Sequence, residues 1–478
     1  MARSAVSFLI GLVFALIAPA AFAHDSGFGL ARYTSGGRLD TTFGNGGVVV
    51  TRSAPGSFVA NALALQSDGK IVIGGMISDV SSGTLQLAVA RYNADGTPDA
   101  TFGTSGISST PVGVAGGEAN AIAIQPDGMI VVAGTAFSHG SAQDSALLAR
   151  YTSTGALDTS FGAAGITTTA LGAGASNAAA VVLQNDFRIV VVGTAYSNGP
   201  TDDDFAVARY TATGHLDQSF GNGGIITADF GSPNSHASLD RATSVALQPD
   251  GKVLVGGFTR GDHQAFAVVR YTSDGNLDTS FGAGGKAQIP AAEPQVYAIM
   301  LQNSGDIVLA GSTTTLNGTA PFALLRLLPD GTPDELFGTA GLVSTAFDGS
   351  RSGARTVVAQ SDGKLISGGA KFGAPSAQGD ALPQSGFALA RYKADGSLDP
   401  TFGSDGRTST DLGDAGATPL SLAVQPDGKI LVAGLVFFQV ATPTSSAGFP
   451  LVPVIVGALA VVLLAIAAMR LSRRSPAR

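Results

Sequence analysis

The sequence predicts an all-β chain folded as a seven-bladed β-propeller, on three observations. Two short motifs alternate along the chain, each seven times. The order of the motifs starts halfway through one unit and ends halfway through another. The composition is that of a turn-rich β protein: 65 of 478 residues are Gly, and only 13% are charged, against roughly 25% in an average soluble domain. With no Cys and no Trp, disulfide scaffolds, thiolate metal sites and Cys nucleophiles are excluded.

Arg3, the apolar run 6–17, Pro19 and Ala21-Phe22-Ala23 have the layout of a secretory signal, expected over 1–23. The first motif then recurs as LARYTSGGRLDTTFGNGG from Leu30, VARYNADGTPDATFGTSG from Val89, LARYTSTGALDTSFGAAG from Leu148 and VARYTATGHLDQSFGNGG from Val207. It continues as VVRYTSDGNLDTSFGAGG from Val268, LLRLLPDGTPDELFGTAG from Leu324 and LARYKADGSLDPTFGSDG from Leu389. Its marker arginines, Arg32 to Arg391, are about 60 residues apart. The second motif, such as ANALALQSDGKIVIGG from Ala60, is an apolar run, a Gln-x-Asp-Gly turn and a β-branched run ending in Gly. That pattern is a β-hairpin with Asp-Gly at its turn.

Each repeat therefore supplies four short strands: a and b from the second motif, c and d from the first. Four strands per unit of this length are the signature of a propeller blade. The mature chain opens on a c–d half and closes on an a–b half. Joined, the two halves complete a seventh blade and leave no open sheet edge. The strand a segments are rich in Ala, which suits the crowded position beside a central channel. The propeller is expected over 24–440.

The seven LDxxFGxxG and QxDGKIxVxG pairs, spread from Phe28 to Gly434, resemble the delta-60 repeat family of bacterial exported proteins. The resemblance implies a propeller-like repeat domain and no particular activity.

A linker is expected over 441–448, and Phe449 to Met469 carries no charge. At 1.5 Å per residue a helix of that length crosses a bilayer of about 30 Å. Arg470, Arg473, Arg474 and Arg478 follow, which places the tail 470–478 in the cytoplasm and the propeller outside it. The expected location is the bacterial cell membrane, with the ring exposed to the periplasm or the cell surface. Arg3 and those four arginines are the only basic residues in the two ends, which hold no acidic residue. The part between is thus more acidic than the whole-chain net charge of −8, and nucleic acid is a poor partner.

A residue present in every blade is explained by what every blade needs. Arg91, Asp99 and Phe102 in the first motif, and Asp127-Gly128 in the second, are expected to be structural: a pairing or capping set, a core aromatic and a hairpin turn. Specificity is expected where the repeat breaks. The b–c and d–a connections vary in length and share one face of the disc, where variable loops on a rigid scaffold would bind. The candidate binding residues there are Asp144, Asp202, Asp203, Asp204, His236, Asp240, Arg260, Asp262, His263 and Asp380. Asp202-Asp203-Asp204 is the densest acidic group and reads as a solvated loop, and the five His lack ligand spacing, so no metal is assigned.

G-x-S-x-G, H-E-x-x-H and Walker A strings are absent, so no catalytic residue and no cofactor is assigned. The expected function is a membrane-tethered binding or scaffolding module of the cell envelope, its partner a protein or a glycan. The alternatives are a propeller hydrolase or lyase with its site in the loops, and a structural surface component.

Overall fold

The structure, a computed structural model, describes residues 24–52, 58–79, 84–138, 143–196, 203–231, 239–260, 264–314, 320–347, 352–372, 385–412 and 416–439. The expected signal, linker, membrane segment and basic tail lie outside the described residues. Among those that are described, no helix is long and apolar enough to cross a membrane.

Seven antiparallel sheets of four strands each form the ring. Each strand a packs beside the strand a of the next blade, and that of the seventh blade packs beside that of the first, so the a strands line the channel. The seventh blade is the expected composite. Strand b, Ile430–Gln439, pairs with strand c, His24–Tyr33, over ten residues, from His24 opposite Gln439 to Tyr33 opposite Ile430. Phe28, Leu30, Ala31 and Tyr33 are fully buried by this closure, which pairs the edges that strands b and c of the two half-blades would otherwise leave open.

Every strand a carries a bulge at its third residue or close to it, for example between Ala60 and Ala62, or between Ala178 and Ala180. The bulge presses a backbone carbonyl onto strand b. A Cβ at Gly75 would collide with the Val59 carbonyl, and one at Gly134 with that of Glu118. The Gly near the end of every strand b is therefore a steric requirement of the bulge facing it.

The a–b hairpins turn through four residues. Gln125 N–H donates to Met129 O at 2.8 Å and Gly128 N–H to Gln125 O at 2.9 Å. Asp127 Oδ1 accepts from Met129 N–H at 3.0 Å. Positive φ falls on Gly128 alone (83°), as in a type I turn closed by a left-handed residue. In the third repeat Phe187 takes that place at φ 65°.

The first motif fastens each blade to the next. Arg91 Nε pairs with Asp99 Oδ2 at 2.7 Å, and its guanidinium lies 4.6 Å from the centroid of Phe102. Its Nη1 crosses to the following blade and donates to Ser153 O at 2.5 Å. Asp99 Oδ1 accepts from Thr101 N–H and Oγ1 at 3.0 and 2.6 Å. Gly103 N–H donates across the same junction to Thr154 O at 2.9 Å. The two motifs also meet, because Lys70 from the a–b turn reaches Asp99 at 3.1 Å. Arg391 repeats this set at the closure, where its Nη1 donates to Ser35 O at 2.6 Å.

A further link ties strand c to the preceding blade. The hydroxyls of Tyr33, Tyr92 and Tyr151 bond Thr410, Thr51 and Thr110 at 2.7 to 2.8 Å, and Tyr392 bonds Thr345 at 2.9 Å. Tyr210 bonds Thr169 in the same way.

Candidate functional site

The face that holds the a–b and c–d turns repeats one structural set. The opposite face, where b–c and d–a connections emerge, carries the side chains that break the repeat. Five of the candidate residues, Asp202, His236, Asp262, His263 and Asp380, lie outside the described residues. The other five are all on this face, in three settings.

Asp144 closes its own loop: Oδ1 accepts from Ser138 N–H at 2.9 Å and from its hydroxyl at 3.2 Å. Arg260 is likewise tied locally, with Nη2 donating to Pro294 O at 3.3 Å and the guanidinium 5.1 Å from the Phe258 centroid. Asp203 faces Arg241 at 3.8 Å, and Arg241 in turn lies 5.7 Å from the ring centroid of Tyr196. Burial lifts the Tyr196 phenol above its ordinary range; the Arg241 charge opposes this, while Asp203, Asp144 and Glu118 reinforce it. Burial also raises the Glu118 carboxyl, against hydrogen bonds from Asn120 and Thr135. Further round the inner strands, Arg355 stacks on Tyr297 at 4.1 Å. Glu118, Arg241, Tyr297 and Arg355 stand on the a strands of blades 2, 4, 5 and 6, and with Tyr196 they give this face polar and aromatic groups of the kind that recognise polar ligands.

The third setting is the junction between blades 3 and 4. Strand c of blade 3 is Asp204–Tyr210 and strand d is Ile225–Ala228. Phe205 pairs with Ala228, which brings Asp204 and Asp229 together one step beyond the pair. Strand a of blade 4, Leu239–Leu247, starts alongside, because Asp240 N–H donates to Asp203 O at 2.9 Å. One carboxylate oxygen from each of Asp204, Asp229 and Asp240 lies within 4.8 Å of the other two. Asp240 is fully buried and its Oδ2 accepts from Phe230 N–H at 2.6 Å. Burial, with the nearby charges of Asp229 and Asp204, pushes its carboxyl up to about 7.

The sequence reading named Asp204 and Asp240 but missed Asp229, Glu118 and Tyr271. Tyr271 had a visible signal. In five other blades the strand c Tyr meets a Thr on the preceding strand d; here that place is Ala228. The Tyr271 hydroxyl has no hydrogen-bond partner among the described residues, and the residue is only 3% exposed. It lines a cleft of about 450 Å³ together with Ala228, Asp229 and Lys286.

Seven four-stranded sheets around a channel, the last completed by the first two and last two described strands, define a seven-bladed β-propeller. Its repeats match the family described as "Domain of unknown function (DUF5122) beta-propeller" in seven segments: 66–102, 125–161, 184–220, 248–281, 302–337, 379–402 and 425–447. No curated protein matches. Among solved structures, the chain is similar to a protein of unknown function from Dyadobacter fermentans DSM 18053, at 15% identity and TM-score 0.45, covering 70% of this chain and 94% of that one. It is similar to a PL25 ulvan lyase at 10% identity and TM-score 0.45, over 80% and 94% of the two chains. A GH43 endo-arabinanase from Bacillus licheniformis is similar at 11% identity and TM-score 0.31, over 58% and 94%.

Proposed function

We propose that this propeller is an exported, membrane-tethered binding or scaffolding module of the bacterial cell envelope, and that it holds a protein or glycan partner on the face of the b–c and d–a connections. The division of the ring into two unlike faces carries the reading. One face spends its polar residues on the same Arg–Asp–Phe set in every blade. On the other, Tyr196, Arg241, Tyr297 and Arg355 are half-buried, belong to no repeated set and lie on blades 3 to 6, three of them on strand a. Amphipathic aromatics beside guanidinium groups suit sugar rings and protein surfaces alike. The signal-like 1–23 and the apolar 449–469 with its basic tail support export and tethering, and the repeat's likeness to the delta-60 family supports the same setting.

The chain has no Cys, so one introduced thiol gives one labelling site. Ala292→Cys puts it on the proposed binding face and Ser361→Cys on the repeated face; both residues are exposed. In intact cells a membrane-impermeant maleimide is expected to label both. A photo-crosslinker on the same thiols is expected to capture envelope material from Cys at 292 and not at 361. Protection of both thiols in intact cells would overturn the location, and equal capture from both faces would overturn the binding face.

A further inference from the structure

We propose that the junction of blades 3 and 4 is a site for a hard divalent cation, best suited to Ca²⁺, with Asp204, Asp229 and Asp240 as carboxylate ligands and the Tyr271 hydroxyl beside them. The inference goes beyond the binding role proposed above and does not depend on it. It revises the expectation from sequence, in which Asp202–Asp204 is a solvated loop and no metal is assigned.

Two independent observations meet here. The first is the span of the acids. Two oxygens on opposite sides of a Ca²⁺ ion at about 2.4 Å are about 4.8 Å apart, and the three carboxylate oxygens fall within 4.8 Å of one another. They therefore fit around one such ion without moving apart. All three are oxygen donors, which favours Ca²⁺ or Mg²⁺ over softer metals. Asp229 is exposed and Asp240 fully buried, so the group is open on one side, where the cleft would admit the ion and its waters.

The second is Tyr271. Its ring is held in the core between blades, and its hydroxyl is left without a hydrogen-bond partner among the described residues. Tyr271 is beside this group: it shares the cleft with Asp229, and its phenol, raised chiefly by burial, is raised further by the nearby Asp204 charge. A buried phenol without a partner is costly. Replacing the usual Thr with Ala228 removes the partner and leaves space for a bound ion or its water to take its place.

The test uses the full-length purified protein, stripped with a chelator and titrated with CaCl₂, MgCl₂ or TbCl₃. At a hundredfold excess over Kd, Ca²⁺ is expected to raise Tm by about 3 °C, given the size of the ring. Tb³⁺ emission excited through Tyr is expected as well, because the chain has no Trp and 8 Tyr, of which Tyr271 is beside the site. Asp204→Asn and Asp240→Asn should lose both responses, and Tyr271→Phe should lose the sensitised emission while still folding. Asp158→Ala, which breaks a repeated Arg–Asp pair instead, should lower Tm equally with and without Ca²⁺. Should the group be held by a proton alone, Tm is indifferent to Ca²⁺ and Asp240→Asn is as stable as wild type in every buffer. That result, or a Ca²⁺ response that survives both Asn variants, overturns the proposal.

Discussion

Arg91→Ala tests how the blades are joined. Arg91 and Asp99 side chains are 5% and 4% exposed. Truncating one partner of such a buried pair leaves the other charge without compensation and costs about 3–5 kcal/mol. The Ser153 carbonyl of the next blade also loses its donor, and Phe102 loses the guanidinium that covers it. At about 2.1 cal/mol/K per residue over a ring of roughly 400 residues, each degree of Tm corresponds to about 0.84 kcal/mol. The expected loss is therefore about 4–6 °C in a thermal melt followed by circular dichroism. Arg91→Lys keeps the charge but not the planar fork that reaches Asp99, Thr101 and Ser153 together, and should fall between wild type and Arg91→Ala. Asp127→Ala removes one exposed turn hydrogen bond and should cost about 1 °C. Equal losses for Arg91→Ala and Asp127→Ala would refute the view that the inter-blade fork, rather than the turns, holds the ring together.

Two further outcomes follow from the same geometry. Gly134→Ala drives a Cβ into the Glu118 carbonyl, which only movement of the strand a bulge can relieve, so it should destabilise more than Gly128→Ala in the exposed turn; comparable melts would place the steric limit elsewhere. The Asp40 carboxyl is held down at about 2, chiefly by the Thr42 hydroxyl with the Arg32 charge assisting, and Asp399 is also at about 2, where the Thr401 and Arg391 interactions outweigh burial. These folded values lie below the unfolded value of about 3.9, so their stabilisation is fully present above pH 4 and is lost as pH falls through about 2. Denaturation midpoints measured from pH 5 to pH 2 should show the fall, and Asp40→Asn should make it shallower; an unchanged profile would mean the pair is not stabilising.

Much of the fold was legible because it is written seven times. Alternation gave the strands, Asp-Gly gave the hairpins, and the split halves gave the closure at His24–Tyr33 and Ile430–Gln439. The Arg–Asp pairing was legible from its constant spacing, but its reach into the next blade was not: Ser153 is 62 positions from Arg91, and only the ring brings them together. The Gly of strand b was read as a strand end, whereas its reason is a bulge on another strand. The acidic group illustrates the same limit. Asp204, Asp229 and Asp240 sit on three strand ends of two blades, and no linear motif links them. Tyr271 was accessible in principle, because aligning the repeats shows Ala228 where Thr51, Thr110, Thr169, Thr345 and Thr410 stand.

The two blades that depart from the Tyr–Thr link differ in a way that bears on function. In blade 5 the position of Tyr is taken by Leu327, and the facing position of the preceding strand by Ile289; both belong to one apolar cluster. That exchange gives up a hydrogen bond and leaves no polar atom stranded, so it is close to neutral. In blade 4 the Thr is gone and the Tyr is kept, a combination that costs about 1–3 kcal/mol for a buried hydroxyl without a partner. Phe at 271 would keep the packing and avoid the cost. A ring that resolves the same problem with hydrocarbon one blade further on has no packing reason to retain the phenol here. The retained hydroxyl is accounted for if its partner is a ligand of the chain rather than part of it, and the three carboxylates beside it make that ligand a cation.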